Sequence, residues 1–158
     1  MFLGLGSNVG RRSQHLEKAI IFLTEFGKVR QRSSIYSSAP QGYVSGHDFL
    51  NMVVRFETEL DAEELLKKCQ QIEKANLRRT TSEGQEDRTL DIDILFFNDQ
   101  IISKKDIEVP HSGIEKRKFV LVPMMEIEPE FIHPKSHLSI AEIYLNCECQ
   151  NDVRLYHP

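Results

Sequence analysis

Two carboxylates interrupt an apolar run at residues 90–97, and this run constrains the fold more than any other segment. Its β-branched and aromatic residues are typical of a strand. Residues i and i+2 of a strand point to the same face, so Asp91 and Asp93 project from one surface roughly 7 Å apart. Like charges this close repel each other unless a cation lies between them. Hard oxygen ligands favour Mg²⁺, so the pair predicts a magnesium site.

An Asp-x-Asp pair can also be the polar face of an edge strand, but its neighbours in the sequence favour a functional interpretation. Arg88 precedes the pair by three positions, and a Val-Pro-His sequence ending at His111 follows it. Further basic residues lie on both sides: Arg78, Arg79, Lys116, Arg117 and Lys118. Polyphosphate chemistry requires carboxylates that hold a metal and cations that neutralise phosphate oxygens.

The length and composition predict one domain over residues 1–158. No apolar run approaches the roughly 20 residues that span a bilayer, and the N-terminus lacks a signal peptide, so we expect a cytoplasmic protein. A net charge of −4 argues against a nucleic acid partner and suits a small anionic ligand. Nothing marks an apolar association surface, so we expect a monomer. Cys69 is expected in the core, and the spacing of Cys147 and Cys149 matches no structural zinc pattern.

Residues 2–10 predict a short strand that runs into a glycine-rich turn, and a helix and a second strand over residues 29–36 are expected after it. The turn fits neither the dinucleotide fingerprint nor the phosphate-binding P-loop, so a structural role is expected. Asn8 or Ser13 is the candidate helix cap and Gly27 the candidate stop.

A third strand is expected over residues 49–56. Phe49 and Asn51 share one face of it, where a flat heteroaromatic ligand could stack and form hydrogen bonds. A core phenylalanine and a strand-end asparagine are the simpler explanation of the same two residues.

A second helix should begin at Asp61, which with Glu64 resembles a capping box. Gln70 and Glu73 form a polar face on that helix, which exposure to solvent alone would explain. Residues 77–87 show no periodicity and predict a long functional loop that carries Arg78.

After the acidic strand, Asn98-Asp99 is a hairpin signal, and Ile101-Ile102 is expected to return beside it. Ser139 and Glu142 form a second capping box and predict a short helix within a tail, residues 135–158, that is otherwise unassigned. The order β-α-β-β-α-β predicts an α+β fold, a ferredoxin-like antiparallel sheet with helices packed on one face.

Taken together, these segments resemble the 6-hydroxymethyl-7,8-dihydropterin pyrophosphokinase family of folate biosynthesis. The resemblance spans roughly residues 2 to 134. The blocks that carry it are residues 5–10, 49–51, 88–95, 109–111, 117–123 and 126–129, in order along the chain.

The resemblance implies transfer of pyrophosphate from MgATP to the hydroxymethyl oxygen of the pterin, with release of AMP. It implies that Asp91 and Asp93 hold two Mg²⁺ ions and act in catalysis with Arg88 and His111. The residues it implies for the pterin are Ser38, Ala39, Gln41, Phe49, Asn51 and Phe119. Those it implies for ATP are Gln70, Glu73, Arg78, Arg88, Ile94, His111 and Arg117.

The chain departs from the family pattern mainly in the loop before the acidic strand. Gln85-Glu86-Asp87 replaces a common Trp-Gly-Pro, and Thr80 stands where a cation is usual. Ser112 stands where an aromatic residue often follows the histidine. These differences concern closure of the loop and leave the metal and pterin residues intact.

Two other functions compete with this one. An Asp-x-Asp pair also holds nucleotide sugars in glycosyltransferases, although the short chain and the Phe49-Leu50-Asn51 sequence speak against that class. A ferredoxin-like module that binds RNA or a regulatory metabolite is the third possibility, but no aromatic-basic RNA motif is visible.

Overall fold

The computed structural model of the chain describes residues 1–41, 47–75, 88–149 and 152–158. Its strands are β1 (Phe2–Ser7), β2 (Lys28–Arg32), β3 (Tyr36–Ser38), β4 (Phe49–Glu57), β5 (Asp91–Phe96), β6 (Ile102–Lys104), β7 (Ile107–Val109) and β8 (Val153–Leu155). Its helices are α1 (Arg12–Leu23), α2 (Ala62–Ala75), α3 (Lys118–Ile127) and α4 (Ile140–Asn146), and a 3₁₀ turn spans Ile114–Lys116.

Six of these strands form one antiparallel sheet in the order β5-β1-β4-β3-β8, and β2 also pairs with β4. Both β2 and β3 pair with β4, so they count as one strand position. The order β5, β1, β4 and then β2 with β3 is the strand order of a ferredoxin-like sheet. The predicted α+β fold is therefore confirmed.

Helices cover both faces of the sheet, whereas the sequence predicted them on one. On the first face, α1 and α2 bury Leu16 and Leu65 against alternate residues of the strands, such as Leu5 and Val54. On the second face, α3 and α4 pack over part of the sheet in a separate cluster that includes Val53. The part of the second face that these helices leave open forms the floor of a cavity.

The strand predicted over residues 29–36 is two strands, because Ser33 interrupts it. The Ser33 amide donates to the Val53 carbonyl over 2.9 Å, and the Val53 amide donates to the Ser33 hydroxyl over 3.0 Å. A side-chain oxygen thus replaces a backbone carbonyl in the ladder. Pairing with β4 begins again three residues later, where β3 starts.

Both predicted capping boxes are present. The Glu64 amide donates to Asp61 Oδ1 over 2.9 Å, and the Asp61 amide donates to the Glu64 carboxylate over 3.0 Å. Ser139 and Glu142 make the same reciprocal pair at the start of α4. The tail beyond that helix adds β8 to the sheet next to β3, which no sequence pattern indicated.

The predicted boundaries of α1 are wrong. Arg11, not Asn8 or Ser13, occupies the cap position, and no side chain caps it. The helix ends at Leu23, before Gly27. Gly27 serves a packing purpose instead, because a Cβ there would lie 2.2 Å from Cζ of Phe56.

The expected return of Ile101-Ile102 beside the acidic strand is also wrong, because β6 pairs with β7. Asn98 has a φ of 55°, and the Gln100 amide donates to the Phe97 carbonyl over 3.1 Å, so the turn leads the chain away from the sheet. As a result, β5 stays at the edge of the sheet.

Among the described helices, none combines the length and the apolar character that crossing a bilayer requires.

Candidate active site

A cavity of about 600 Å³ lies over the open part of the second sheet face. Its floor consists of three neighbouring strands, with β1 between β5 and β4. Gly6 pairs with both Asp91 and Asn51, so these three residues form one row across the sheet. Gly4 lies in the next such row and pairs with Asp93 and Val53.

The glycines of β1 keep the floor low. A Cβ at Gly6 would approach Asn51 Oδ1 to 3.4 Å, Cδ1 of Phe49 to 3.8 Å and Cβ of Asp91 to 4.0 Å. Any side chain at this position would therefore fill the space between the carboxylates and the Phe49 strand. The glycine-rich sequence leaves that space to a ligand.

Asp91 and Asp93 both line the cavity, which confirms that they project from one face. Arg88 Nη1 lies 2.6 Å from Asp91 Oδ2, and Arg117 Nη1 lies 3.9 Å from Asp93 Oδ2. Burial, followed by the negative charge of Asp91, raises the pKa of Asp93, and the nearby cations offset this only in part. Keeping both carboxylates ionised is therefore unfavourable, and a divalent cation would relieve that cost.

Three separate segments supply basic residues to the site: Arg88, His111 and Arg117. Arg88 lies three residues before Asp91 and keeps a raised pKa: burial opposes the charge, but the carboxylates of Asp91, Asp93 and Glu73 outweigh it. The His111 amide donates to the Leu95 carbonyl over 3.0 Å, which ties that histidine to β5.

His111 also has a defined tautomer. The Gly113 amide donates to His111 Nδ1 over 3.0 Å, so Nδ1 is an acceptor and Nε2 carries the proton. The imidazole can therefore donate a hydrogen bond from Nε2 to an anionic ligand.

The other side of the cavity is aromatic and amide-rich. Phe49 on β4 and Phe119 on α3 both line it. Asn51 is buried, and its amide donates to the Ser38 hydroxyl over 2.9 Å, which orients the carboxamide. The guanidinium of Arg117 lies 5.8 Å from the centre of the Phe119 ring, within cation–π range.

Most of the site residues proposed from the sequence line this single cavity: Ser38, Ala39, Gln41, Phe49, Asn51, Arg88, Asp91, Asp93, His111, Arg117 and Phe119. The structure thus brings together residues that lie up to 81 positions apart in the chain.

Three residues proposed for ATP do not line the cavity. Ile94 points to the opposite face of the sheet and is part of the core. Glu73 is buried and accepts a hydrogen bond from the Ile92 amide over 2.8 Å, so it is not the solvent-exposed residue that the sequence also allowed. Gln70 is exposed on α2. Arg78, like the substituted positions Thr80 and 85–87, lies outside the described residues.

Sequence reasoning missed part of the cavity lining. Lys116 lines it, and its backbone carbonyl accepts a hydrogen bond from Gln41 Nε2 over 3.2 Å. Gly4 and Gly6 lie in the floor on β1, where only a strand leading into a structural turn was predicted. Their spacing of two on a strand placed both on one face, and this was the signal available in the sequence.

A ferredoxin-like sheet that presents two carboxylates, with arginine and histidine around them and a pair of aromatic rings beside them, suits a protein that binds a polyphosphate next to a flat ring. A family model described as 7,8-dihydro-6-hydroxymethylpterin-pyrophosphokinase (HPPK) matches residues 2–129. The chain belongs to this family, as the sequence resemblance predicted. Members of the family are ATP-dependent pyrophosphokinases, so the chain is an enzyme of the transferase class.

Bacterial relatives are similar over most of their length. The chain is 42% identical over 134 residues to the 2-amino-4-hydroxy-6-hydroxymethyldihydropteridine pyrophosphokinase of Aquifex aeolicus, with 85% of this chain and 83% of the relative covered. It is 41% identical over 128 residues to the Bacillus subtilis protein of the same name, with 80% and 76% covered.

Solved structures agree on the fold. The crystal structure of Plasmodium falciparum wild-type HPPK-DHPS with pteroate matches with a TM-score of 0.73 at 16% identity. The match covers 92% of this chain and 43% of that one, so the chain spans less than half of the longer protein. At this identity, the likeness shows the fold alone.

Proposed function

We propose that the chain transfers pyrophosphate from MgATP to the hydroxymethyl group of 6-hydroxymethyl-7,8-dihydropterin in folate biosynthesis. The hydroxymethyl group releases its proton to solvent and its oxygen forms a bond to the β-phosphorus. The bond from that phosphorus to the α–β bridging oxygen breaks, and AMP leaves with that oxygen. One observation carries the proposal: Asn51, Gly6 and Asp91 form one row across three strands. The spacing of strands puts the outer two about 10 Å apart, with only a glycine between them.

Asp91 and Asp93 are the residues that would hold Mg²⁺. Their carboxylates are hard oxygen donors. The pKa of Asp93 is raised by burial and by the charge of Asp91, so a cation beside the pair would stabilise the ionised form. No cluster of three or more metal-binding side chains is found in the described residues, so phosphate oxygens and water would complete the shell, as Mg²⁺ prefers. Bound Mg²⁺ would supply charge neutralisation on the triphosphate and acidify the hydroxymethyl group. We propose that these two carboxylates would hold two such ions.

Arg88, His111 and Arg117 would bind and orient the triphosphate. Each lines the cavity, and each can donate hydrogen bonds to phosphate oxygens as negative charge shifts onto the leaving AMP. In-line positioning by these donors, rather than a strong general base, would account for catalysis.

Phe49 and Phe119 would hold the pterin ring between them, and Asn51 would bond its polar edge. Both rings line the same cavity. The ring-to-ring contacts of the described residues do not include a contact between these two, which leaves room for a flat ligand. The segment around Ser38, Ala39 and Gln41 borders the same space and offers backbone groups for the ring edge.

Other expectations from the sequence stay predictions. ATP-binding roles for Gln70, Glu73, Arg78 and Ile94 belong here, as do the cytoplasmic location, the absence of a nucleic acid partner and the single-domain boundary. The expected monomer can be tested by size-exclusion chromatography with light scattering.

The test is a nucleotide assay with both substrates and Mg²⁺, in which chromatography separates AMP from ADP. We expect AMP in equal amount to the pyrophosphorylated pterin, whereas ADP as the product would overturn the proposal. Asp91→Asn and Asp93→Asn should each lower turnover by about 10²-fold or more. Asp99→Asn, an exposed position just beyond the same strand, is the matched control and should turn over normally. Mn²⁺ titration followed by electron paramagnetic resonance should count two ions in the presence of an ATP analogue.

A further inference from the structure

Asn8, which the sequence suggested as a helix cap, instead forms an extra rung between β1 and the residues before β5. The Asn8 amide donates to the Arg88 carbonyl over 3.0 Å, and the Arg88 amide donates to Asn8 Oδ1 over 2.6 Å. The carboxamide oxygen thus occupies the place of a backbone carbonyl in an antiparallel ladder. The preceding residue reinforces the rung, because the Ser7 hydroxyl donates to the Thr89 carbonyl over 2.6 Å.

This rung is buried and lies directly beside the phosphate-binding residues. Ser7 is fully buried and Asn8 is 1% exposed. The rung fixes the backbone of Arg88 three residues before Asp91, and the Arg88 guanidinium contacts the Asp91 carboxylate over 2.6 Å. A small shift at Asn8 would therefore move the cation, and with it the carboxylate.

We propose that Asn8 is a positioning residue for pyrophosphoryl transfer, acting through Arg88. Its carboxamide oxygen holds the Arg88 backbone so that the guanidinium meets both Asp91 and the triphosphate. The proposal rests on the proposed function for its effect on catalysis, but the effect on Arg88 itself is independent of it. The Asn8 side chain need not touch either substrate.

The acceptor oxygen is the feature to test. Asn8→Leu keeps the size of the side chain without the acceptor, and Asn8→Asp keeps an acceptor at the same position. We expect Asn8→Leu to lower kcat roughly ten- to hundredfold, because small misplacements of a positioned group have effects of this size. The KM for the pterin should stay within about twofold, and Asn8→Asp should restore most of the rate. Asn146→Ala, an exposed asparagine at the end of α4, is the matched control.

A double-mutant cycle separates action through Arg88 from a general structural effect. In the Arg88→Ala background, adding Asn8→Leu should lower kcat no further, since the guanidinium that it positions is gone. Multiplied losses in the double variant would overturn the proposal, as would native turnover in Asn8→Leu.

A readout that does not use activity keeps this inference distinct from the proposed function. In ¹⁵N NMR spectra, Asn8→Leu should abolish the slow hydrogen exchange of the Arg88 amide and shift the Arg88 Nε–Hε signal. Asn146→Ala should leave both unchanged. If both Arg88 signals are unaltered in Asn8→Leu, the positioning role is wrong, whatever the activity of that variant. If the unaltered chain releases no AMP, the proposed function fails, and the NMR comparison still decides whether Asn8 positions Arg88.

Discussion

Replacing Glu73 with alanine should destabilise the protein and slow the reaction together. Glu73 on α2 is 4% exposed and accepts a hydrogen bond from the Ile92 amide over 2.8 Å. Ile92 lies between Asp91 and Asp93 on the edge strand of the sheet, so this bond ties the carboxylate pair to the helix layer. Alanine would leave the buried Ile92 amide without this acceptor.

The size of the effect follows from the bond and its burial. A hydrogen bond to a charged group contributes about 1.5–3 kcal/mol, and we expect the free energy of unfolding to fall by about 2 kcal/mol. For a chain of this size, that corresponds to a melting temperature lower by about 4–8 °C. Loss of the bond frees the strand between the two aspartates, so kcat should fall by about tenfold. Glu73→Gln keeps an acceptor and should lose less than half as much stability.

Thermal unfolding by circular dichroism and steady-state kinetics on the same samples test this prediction. Gln71→Ala, an exposed position on the same helix, controls for changes in helix propensity. The reasoning is refuted if Glu73→Ala melts within about 1 °C of the native protein. An unchanged melting temperature with a raised KM for ATP would instead support the direct ATP contact that the sequence resemblance implies.

Three further predictions concern packing, pH and the pterin site. Gly27→Ala should cost about 1–3 kcal/mol in thermal unfolding, because its Cβ would clash with the Phe56 ring, and unchanged stability would contradict the close packing. Burial lowers the pKa of His133, so the unfolded chain binds more protons and stability should fall as the pH drops below about 6.5. His133→Gln should flatten that dependence in urea titrations, whereas the exposed control His157→Gln should not. Phe119→Leu should raise the KM for the pterin by about two- to twelvefold through lost stacking, and an unchanged KM would remove Phe119 from the pterin site.

Prediction from the sequence succeeded where the pattern is local. The alternation around Asp91 and Asp93 predicted both the strand and their common face, and that strand is β5. The two capping boxes predicted the starts of α2 and α4, because each box satisfies backbone groups within four residues of itself. The family resemblance added the pairing of these residues with Phe49 and Asn51, which no single segment indicated.

Prediction failed where a residue's partner is distant in the chain. Asparagine is a residue type that often caps helices, yet the Asn8 side chain accepts its hydrogen bond from the Arg88 amide, 80 residues away. Glu73 has the periodicity of a solvated face, yet it meets the edge strand. The three-residue strand β8 carries too few residues for alternation to appear at all, and only pairing with β3 makes it a strand.

The sequence by itself determined the kinds of element and the chemical character of their faces, since periodicity, turns and caps act within a few residues. Only the tertiary structure decided that Asn51, Gly6 and Asp91 meet in one row and that Arg88 is held beside them. Register between strands depends on hydrogen bonds and packing summed over the whole sheet. A one-residue shift of β5 would turn both carboxylates toward the core. The site is therefore a property of the register, which no local segment of this chain contains.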